Sequence, residues 1–258
     1  MIIAISNQKG GVGKTTTATN LAYGLQLRGK KVLLVDCDPQ GNSTDTWRAD
    51  VSDGNATLSD LLFFNEPFQN CVQHTEVGDI IAADDVLDEA TARLTGVAGY
   101  FRLKNRLAPL KPLYDYIILD TPPNLGILLQ NALIAADGVI VPITSSKFAV
   151  DGMGRFIETV NEVKAEPNPH LEVLGLLLVK YSGRKVLARE VKDALPEIMG
   201  QLGTGVFETE IRVDEAIEQS QASQMPVEMY APKSRATEDY AKFTEEVLNY
   251  GKEHTERK

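Results

Sequence analysis

Short, unbroken apolar runs alternate along this chain with longer stretches of helical spacing. Ile2–Ser6, Val32–Asp36, Asp79–Ala82, Tyr116–Asp120, Gly138–Ile143 and Val173–Val179 are apolar at consecutive positions, as strands buried on both faces are. Between them the spacing predicts helices over Lys14–Arg28, Leu125–Ala135, Val150–Lys164, Arg184–Gly200 and Ala236–Tyr250. The first stops at Gly29, a residue suited to a left-handed turn past a helix end. Strand and helix in alternation give an α/β fold, a single doubly wound, mainly parallel sheet with helices on both faces. One domain is expected over residues 1–250, followed by a polar tail, 251–258, that frays. Glu66–Gly96 is less periodic and reads as a peripheral excursion.

A length of 258 residues with 43% apolar side chains suits one large α/β domain and excludes a disordered or collagen-like chain. Against 36 acidic residues stand 26 basic ones, a net charge of −10. That excludes a uniformly basic nucleic-acid binder but leaves room for a local basic patch. Cys37 and Cys71 are too few for a disulfide framework, which fits a reducing cytosol. No run approaches the roughly 20 apolar residues that span a bilayer, and Met1 leads directly into an apolar run without a basic leader. The expected location is cytoplasmic. His74, His170 and His254 are scattered and show no metal-ligand spacing.

Lys9-Gly10-Gly11-Val12-Gly13-Lys14-Thr15-Thr16 follows the first predicted strand and opens the first helix. Glycines there let backbone N–H groups turn inward, and the helix N-terminus adds its positive dipole end. In such a phosphate loop Lys14 reaches the β- and γ-phosphates and the Thr15 hydroxyl ligates Mg²⁺. The common spacing requires glycine at position 8, where this chain has Gln8, so the loop is a variant with a second lysine, Lys9, near its start. A dinucleotide-binding turn would use Gly11 and Gly13, with Asp36 on the ribose. Its third glycine position holds Thr16, however, and it leaves Lys14-Thr15 without a role. A triphosphate is the better fit.

Ligands of open parallel sheets bind beyond the carboxyl ends of the strands, and two predicted strands end in acids, Asp36 and Asp120. Asp120 after four apolar residues has the form of a magnesium-holding carboxylate, and Asp36 can support the same ion. Asp38 lies two residues beyond its strand, where it would orient and deprotonate an attacking water. Capping and chain-turning are the plainer roles for all three. Cys37, between two aspartates and with no nearby histidine, reads as a core filler rather than a nucleophile.

The phosphate-loop octapeptide, together with Val35-Asp36-Cys37-Asp38-Pro39-Gln40-Gly41-Asn42 and Asp120-Thr121-Pro122-Pro123, resembles the ParA/Soj partition ATPases, the deviant Walker A group that also contains MinD. The resemblance implies an ATP hydrolase that uses ATP and Mg²⁺ and forms an ATP-dependent sandwich homodimer. In that dimer Lys9 reaches the partner subunit's phosphates, Asp38 is the hydrolysis aspartate and Thr15 the magnesium threonine. It implies non-specific DNA binding in the ATP state, nucleoid association, and segregation of a plasmid or chromosome through hydrolysis stimulated by a ParB-like centromere-binding protein. With the loop starting at Lys9, no amino-terminal helix-turn-helix and no operator binding are expected.

For DNA contact the candidates are Arg184, Lys185 and Arg189, in a stretch running from Lys180 to Lys192, with Lys233 and Arg235 added by the resemblance. An ordinary solvated helix face is the plainer alternative for the first cluster. Ile211–Ala216 is acidic where this family is usually basic, which departs from the usual adenine-side and DNA-side pattern. Three other readings share this loop: a ParA-type positioner of another cargo, a membrane-cycling ATPase like MinD, and a small-molecule ligase or reductase, for which the chain lacks a cluster-binding cysteine pair and an evident substrate site. The second needs an amphipathic carboxy-terminal helix with a free apolar face, which Gly251–Lys258 does not supply.

Overall fold

The computed structural model describes residues 1–52, 54–144, 153–181 and 195–256, the last with side chains to Gly251. Eight strands form one sheet in the order β3-β4-β2-β5-β1-β6-β7-β8. They are β1 Ile2–Ile5, β2 Val32–Asp36, β3 Val72–His74, β4 Asp79–Ile81, β5 Tyr116–Asp120, β6 Gly138–Thr144, β7 Glu172–Tyr181 and β8 Ile211–Arg212. Every pairing is parallel except that of β3 with β4. The sheet is therefore the mainly parallel, doubly wound one expected.

The consecutive apolar runs have the anticipated cause. Successive residues of a strand face opposite ways, and here both faces are covered. Ile2 and Ala4 of β1, Leu33 and Val35 of β2, and Ile117 and Leu119 of β5 join one apolar cluster. Ile3 and Ile5, Val32 and Leu34, and Tyr116 and Ile118 join the other. The first cluster includes residues of the helices Ile127–Ala135 and Gly154–Ala165, and the second those of α1, Lys14–Leu27, and the long final helix Arg235–Glu256. At the crossing of those two, a methyl added to Gly24 would meet Thr244 Oγ1 at 2.6 Å, so glycine there lets the helices approach closely.

Glu66–Gly96 lies at one edge of the sheet, where it supplies β4, the strand expected over Asp79–Ala82, which pairs with β2, and the edge strand β3. The chain between β7 and the final helix adds β8 and the helix Glu215–Ala222. The final helix does not stop at Tyr250 but continues to Glu256. Gly251 lies inside it, where a side chain would meet Tyr116 Oη at 2.6 Å, so glycine there serves close packing rather than a helix end. The beginning of the predicted helix Val150–Lys164 and most of Arg184–Gly200 lie outside the described residues, as do Arg184, Lys185 and Arg189 themselves.

Candidate nucleotide site

A cleft of about 630 Å³ opens at the carboxyl ends of the central strands, lined by Gly10, Gly11, Gly13, Lys14, Thr15, Thr16 and Asp38 on one side and by the helix Glu215–Ala222 on the other. The loop's shape follows from its glycines: Gly11 and Gly13 both have left-handed backbones, at φ 72° and 80°, which residues with a Cβ rarely adopt. Gly13 is also the N-cap of α1, and the first turn of that helix has no acidic residue. Its N–H groups and dipole are thus directed at the cleft without a built-in counter-charge.

Lys14 is only 6% exposed, and its Nζ donates to the Lys9 carbonyl at 3.0 Å. Burial lowers its pKa, opposed by the negative charges of Asp120 and Asp38. An ammonium held in a poorly solvated pocket beside carboxylates can exchange its backbone contact for phosphate oxygens at little reorganisation cost. Lys9, partly buried, sits at the loop's entrance with its N–H donating to Asn7 Oδ1 at 3.1 Å.

Asp36 and Asp120 are register partners at the ends of β2 and β5, and both are fully buried. Asp36 organises the loop that follows it. Its Oδ2 accepts the Thr44 N–H at 2.8 Å and the Thr44 hydroxyl at 2.9 Å, and its Oδ1 accepts the Asp38 N–H at 3.1 Å. Asp120 Oδ2 accepts the Ser43 hydroxyl at 2.8 Å, whereas its buried Oδ1 has no hydrogen-bond partner. Burial and then the Asp120 charge push the Asp36 carboxyl up to about 8, against the pull of the Thr44 and Asp38 bonds. Burial raises Asp120 to about 6, restrained by the Ser43 and Thr15 hydroxyls and by Lys14. Buried carboxyls this close titrate as a pair.

Asp38 belongs to the cleft wall, 7% exposed. Its Oδ1 accepts the Gln40 N–H at 3.1 Å and its carbonyl accepts the Gly41 N–H at 2.9 Å, a tight turn that fixes the carboxylate near Lys14. Cys37, between the aspartates, is fully buried, and burial followed by the three neighbouring carboxylates drives its thiol well up. A thiol buried in this way suits a core filler rather than a nucleophile.

The far wall was not anticipated. Gln221 donates to Thr16 Oγ1 at 2.7 Å, and Asn20 of α1 accepts the Val227 N–H at 2.7 Å, which ties this wall to the phosphate-loop helix. Asp214 caps the wall helix by accepting the Ala216 N–H at 3.1 Å. Asp214, Glu215 and Glu218 together form an acidic helix start, a signal that reads on its face as surface charge. Lys180 is the other addition, with its Nζ 3.2 Å from the Gly11 carbonyl. Of the remaining basic candidates, Lys233 is exposed and Arg235 lies 3.8 Å from Asp214. The helix Arg235–Glu256 turns Tyr240, Phe243 and Val247 into the core. Among the described residues no helix is long and apolar enough to cross a membrane.

A protein-family model described as an AAA domain matches residues 1–173. The sporulation initiation inhibitor protein Soj of Bacillus subtilis is 36% identical over 97% of this chain and 99% of its own length. The chromosome-partitioning ATPase Soj of Thermus thermophilus is 37% identical over 95% of this chain and 94% of its own. Among solved structures, cobyrinic acid a,c-diamide synthase from Mycobacterium smegmatis, with bound ADP and magnesium, superposes with a TM-score of 0.83 at 30% identity, covering 97% of this chain and 95% of that one.

Proposed function

We propose a DNA-segregation cycle for this chain, which belongs to the ParA/Soj family of chromosome-partitioning ATPases. It is an ATP hydrolase of the magnesium-using kind. The observation that carries the reading is Lys14: a buried ammonium in a loop of left-handed glycines, at a helix N-terminus, with Asp38 and Asp120 beside it.

Magnesium fits the residues present. Asp120 Oδ1 is a buried carboxylate oxygen without a partner, and the neighbouring Thr15 hydroxyl completes a hard-oxygen donor pair. Thr15 and Asp120 would hold the ion, with Asp36 behind them fixing the loop. Bound there, magnesium would neutralise charge on the β- and γ-phosphate oxygens. Lys14 and the loop amides bind the polyphosphate, and Thr16 continues the cradle into α1. Asp38 accepts the proton of the attacking water. Lys9 crosses to a second copy of the chain, so that hydrolysis requires an ATP-dependent homodimer.

In the dimer, basic residues gather on one surface and bind DNA without sequence preference. Arg184, Lys185 and Arg189 are the principal candidates, and Lys233 is a further one. Arg235 contributes less, because the Asp214 carboxylate offsets its charge. A ParB-like protein stimulates hydrolysis and releases the dimer. The burial of Tyr240, Phe243 and Val247 weighs against a membrane-cycling alternative, since the last helix has spent its apolar face on the core.

The test is ATP hydrolysis measured alone, with duplex DNA, and with DNA plus the protein encoded by the adjacent gene. Stimulation by the combination is expected. Arg184→Glu should abolish DNA retention while ATP-driven dimerisation survives. DNA retention equal to wild type in that variant would move the contact surface elsewhere.

A further inference from the structure

Lys180 is the penultimate residue of β7, and its backbone is left-handed, with φ at 52°. A side chain at such a φ costs energy that a neighbouring contact must offset. The pairing of β7 with β8 shifts register between Val179 and Tyr181, so the strand kinks at this residue. The kink brings the Lys180 ammonium to the rim of the phosphate loop, 3.2 Å from the Gly11 carbonyl. Val179, one residue earlier, packs beneath the loop, where a methyl added to Gly13 would meet its Cγ2 at 3.6 Å.

Charge shows what that ammonium is for. Asp38, Asp45 and Glu218 all line the cleft, and a nucleoside triphosphate brings several further negative charges. Among the described residues lining the cleft, the cations are Lys14 and Lys180. We propose that Lys180 is a further lysine of the polyphosphate site, set on the loop's rim by the kink in β7 and parked on the Gly11 carbonyl until nucleotide arrives. This rests on the ATPase reading above and adds a residue to its binding site. It also withdraws Lys180 from the basic stretch it heads in the sequence: its charge serves nucleotide rather than DNA.

Two substitutions separate charge from backbone. Lys180→Met removes the ammonium and keeps the side-chain length. Lys180→Gly removes it while relieving the left-handed backbone, so its fold is kept or stabilised. Both should weaken MgATP binding about tenfold, the scale of one charge-assisted contact. Both should leave binding of adenosine, which has no phosphates, unchanged, and Lys180→Arg should retain ATP affinity within about threefold. Unchanged ATP affinity in Lys180→Gly would overturn the proposal. So would equal losses for ATP and adenosine, or a loss confined to DNA retention. Should wild-type protein itself fail to bind ATP, the functional reading would fall first, and the two failures are thereby distinguishable.

Discussion

Asp36 and Asp120 end neighbouring parallel strands at the same register position, and neither carboxyl reaches solvent. Their closeness places two acids where only one negative charge is comfortable. Folded, both hold protons above the ordinary value of 3.8, Asp36 to about 8 and Asp120 to about 6. The unfolded chain has released those protons by then. Across this window the folded state binds more protons, so stability falls as pH rises from about 4 to about 8.

Urea denaturation without magnesium at about pH 5 and about pH 8 should show that fall, and Asp36→Asn, which removes one of the paired charges, should shrink it. Equal falls in the two proteins would show that the pair does not titrate in this range. Added magnesium should offset the loss at the higher pH, because the ion binds the ionised form.

Asp38→Ala should bind MgATP within a few-fold of wild type and lose at least about 100-fold in turnover, the usual scale of a general base. Alanine loses the Oδ1 bond from the Gln40 N–H but keeps the backbone bond from Gly41 to the residue-38 carbonyl, so the turn is retained. Single-turnover hydrolysis at the wild-type rate would remove Asp38 from the chemistry.

Lys9→Ala should leave nucleotide affinity nearly intact, because the Lys9 N–H and carbonyl bonds within the loop are kept in alanine and its ammonium is assigned to the second copy of the chain. Stimulated hydrolysis should drop by about 10³-fold or more, as for other cations supplied in trans. Mixing Lys9→Ala with Asp38→Ala protein would then restore partial activity through mixed dimers. No restoration, with both variants dimerising, would place Lys9 in its own subunit's site.

The sheet's centre was legible because β1, β2, β5, β6 and β7 are buried on both faces and write continuous apolar runs into the sequence. β3 and β8 were not, because they are edge strands of three and two residues, and Gln73, His74 and Arg212 interrupt any pattern. Lys14, Asp38 and Asp120 were legible for a local reason: each is fixed by its distance from a strand end. Lys180 was not, because its direction depends on a left-handed backbone and a register shift that its neighbours in sequence do not announce. The wall helix was missed for a different reason. Ile211–Ala216 stands out in the sequence only as an acidic departure from the family pattern, although a capping aspartate followed by acids, here Asp214 and Glu215, is also how a helix begins.

The account stands on Lys14 and the loop around it as the seat of a polyphosphate. Titrating MgATP into wild-type and Lys14→Ala protein tests this directly, with the fluorescence of the single, fully buried Trp47 beside the Asp38 loop as the signal. Saturable binding to wild type and a loss of at least about 100-fold in the variant are predicted. Equal affinities in the two proteins, or a wild type that takes a nicotinamide dinucleotide in preference to MgATP, would contradict it.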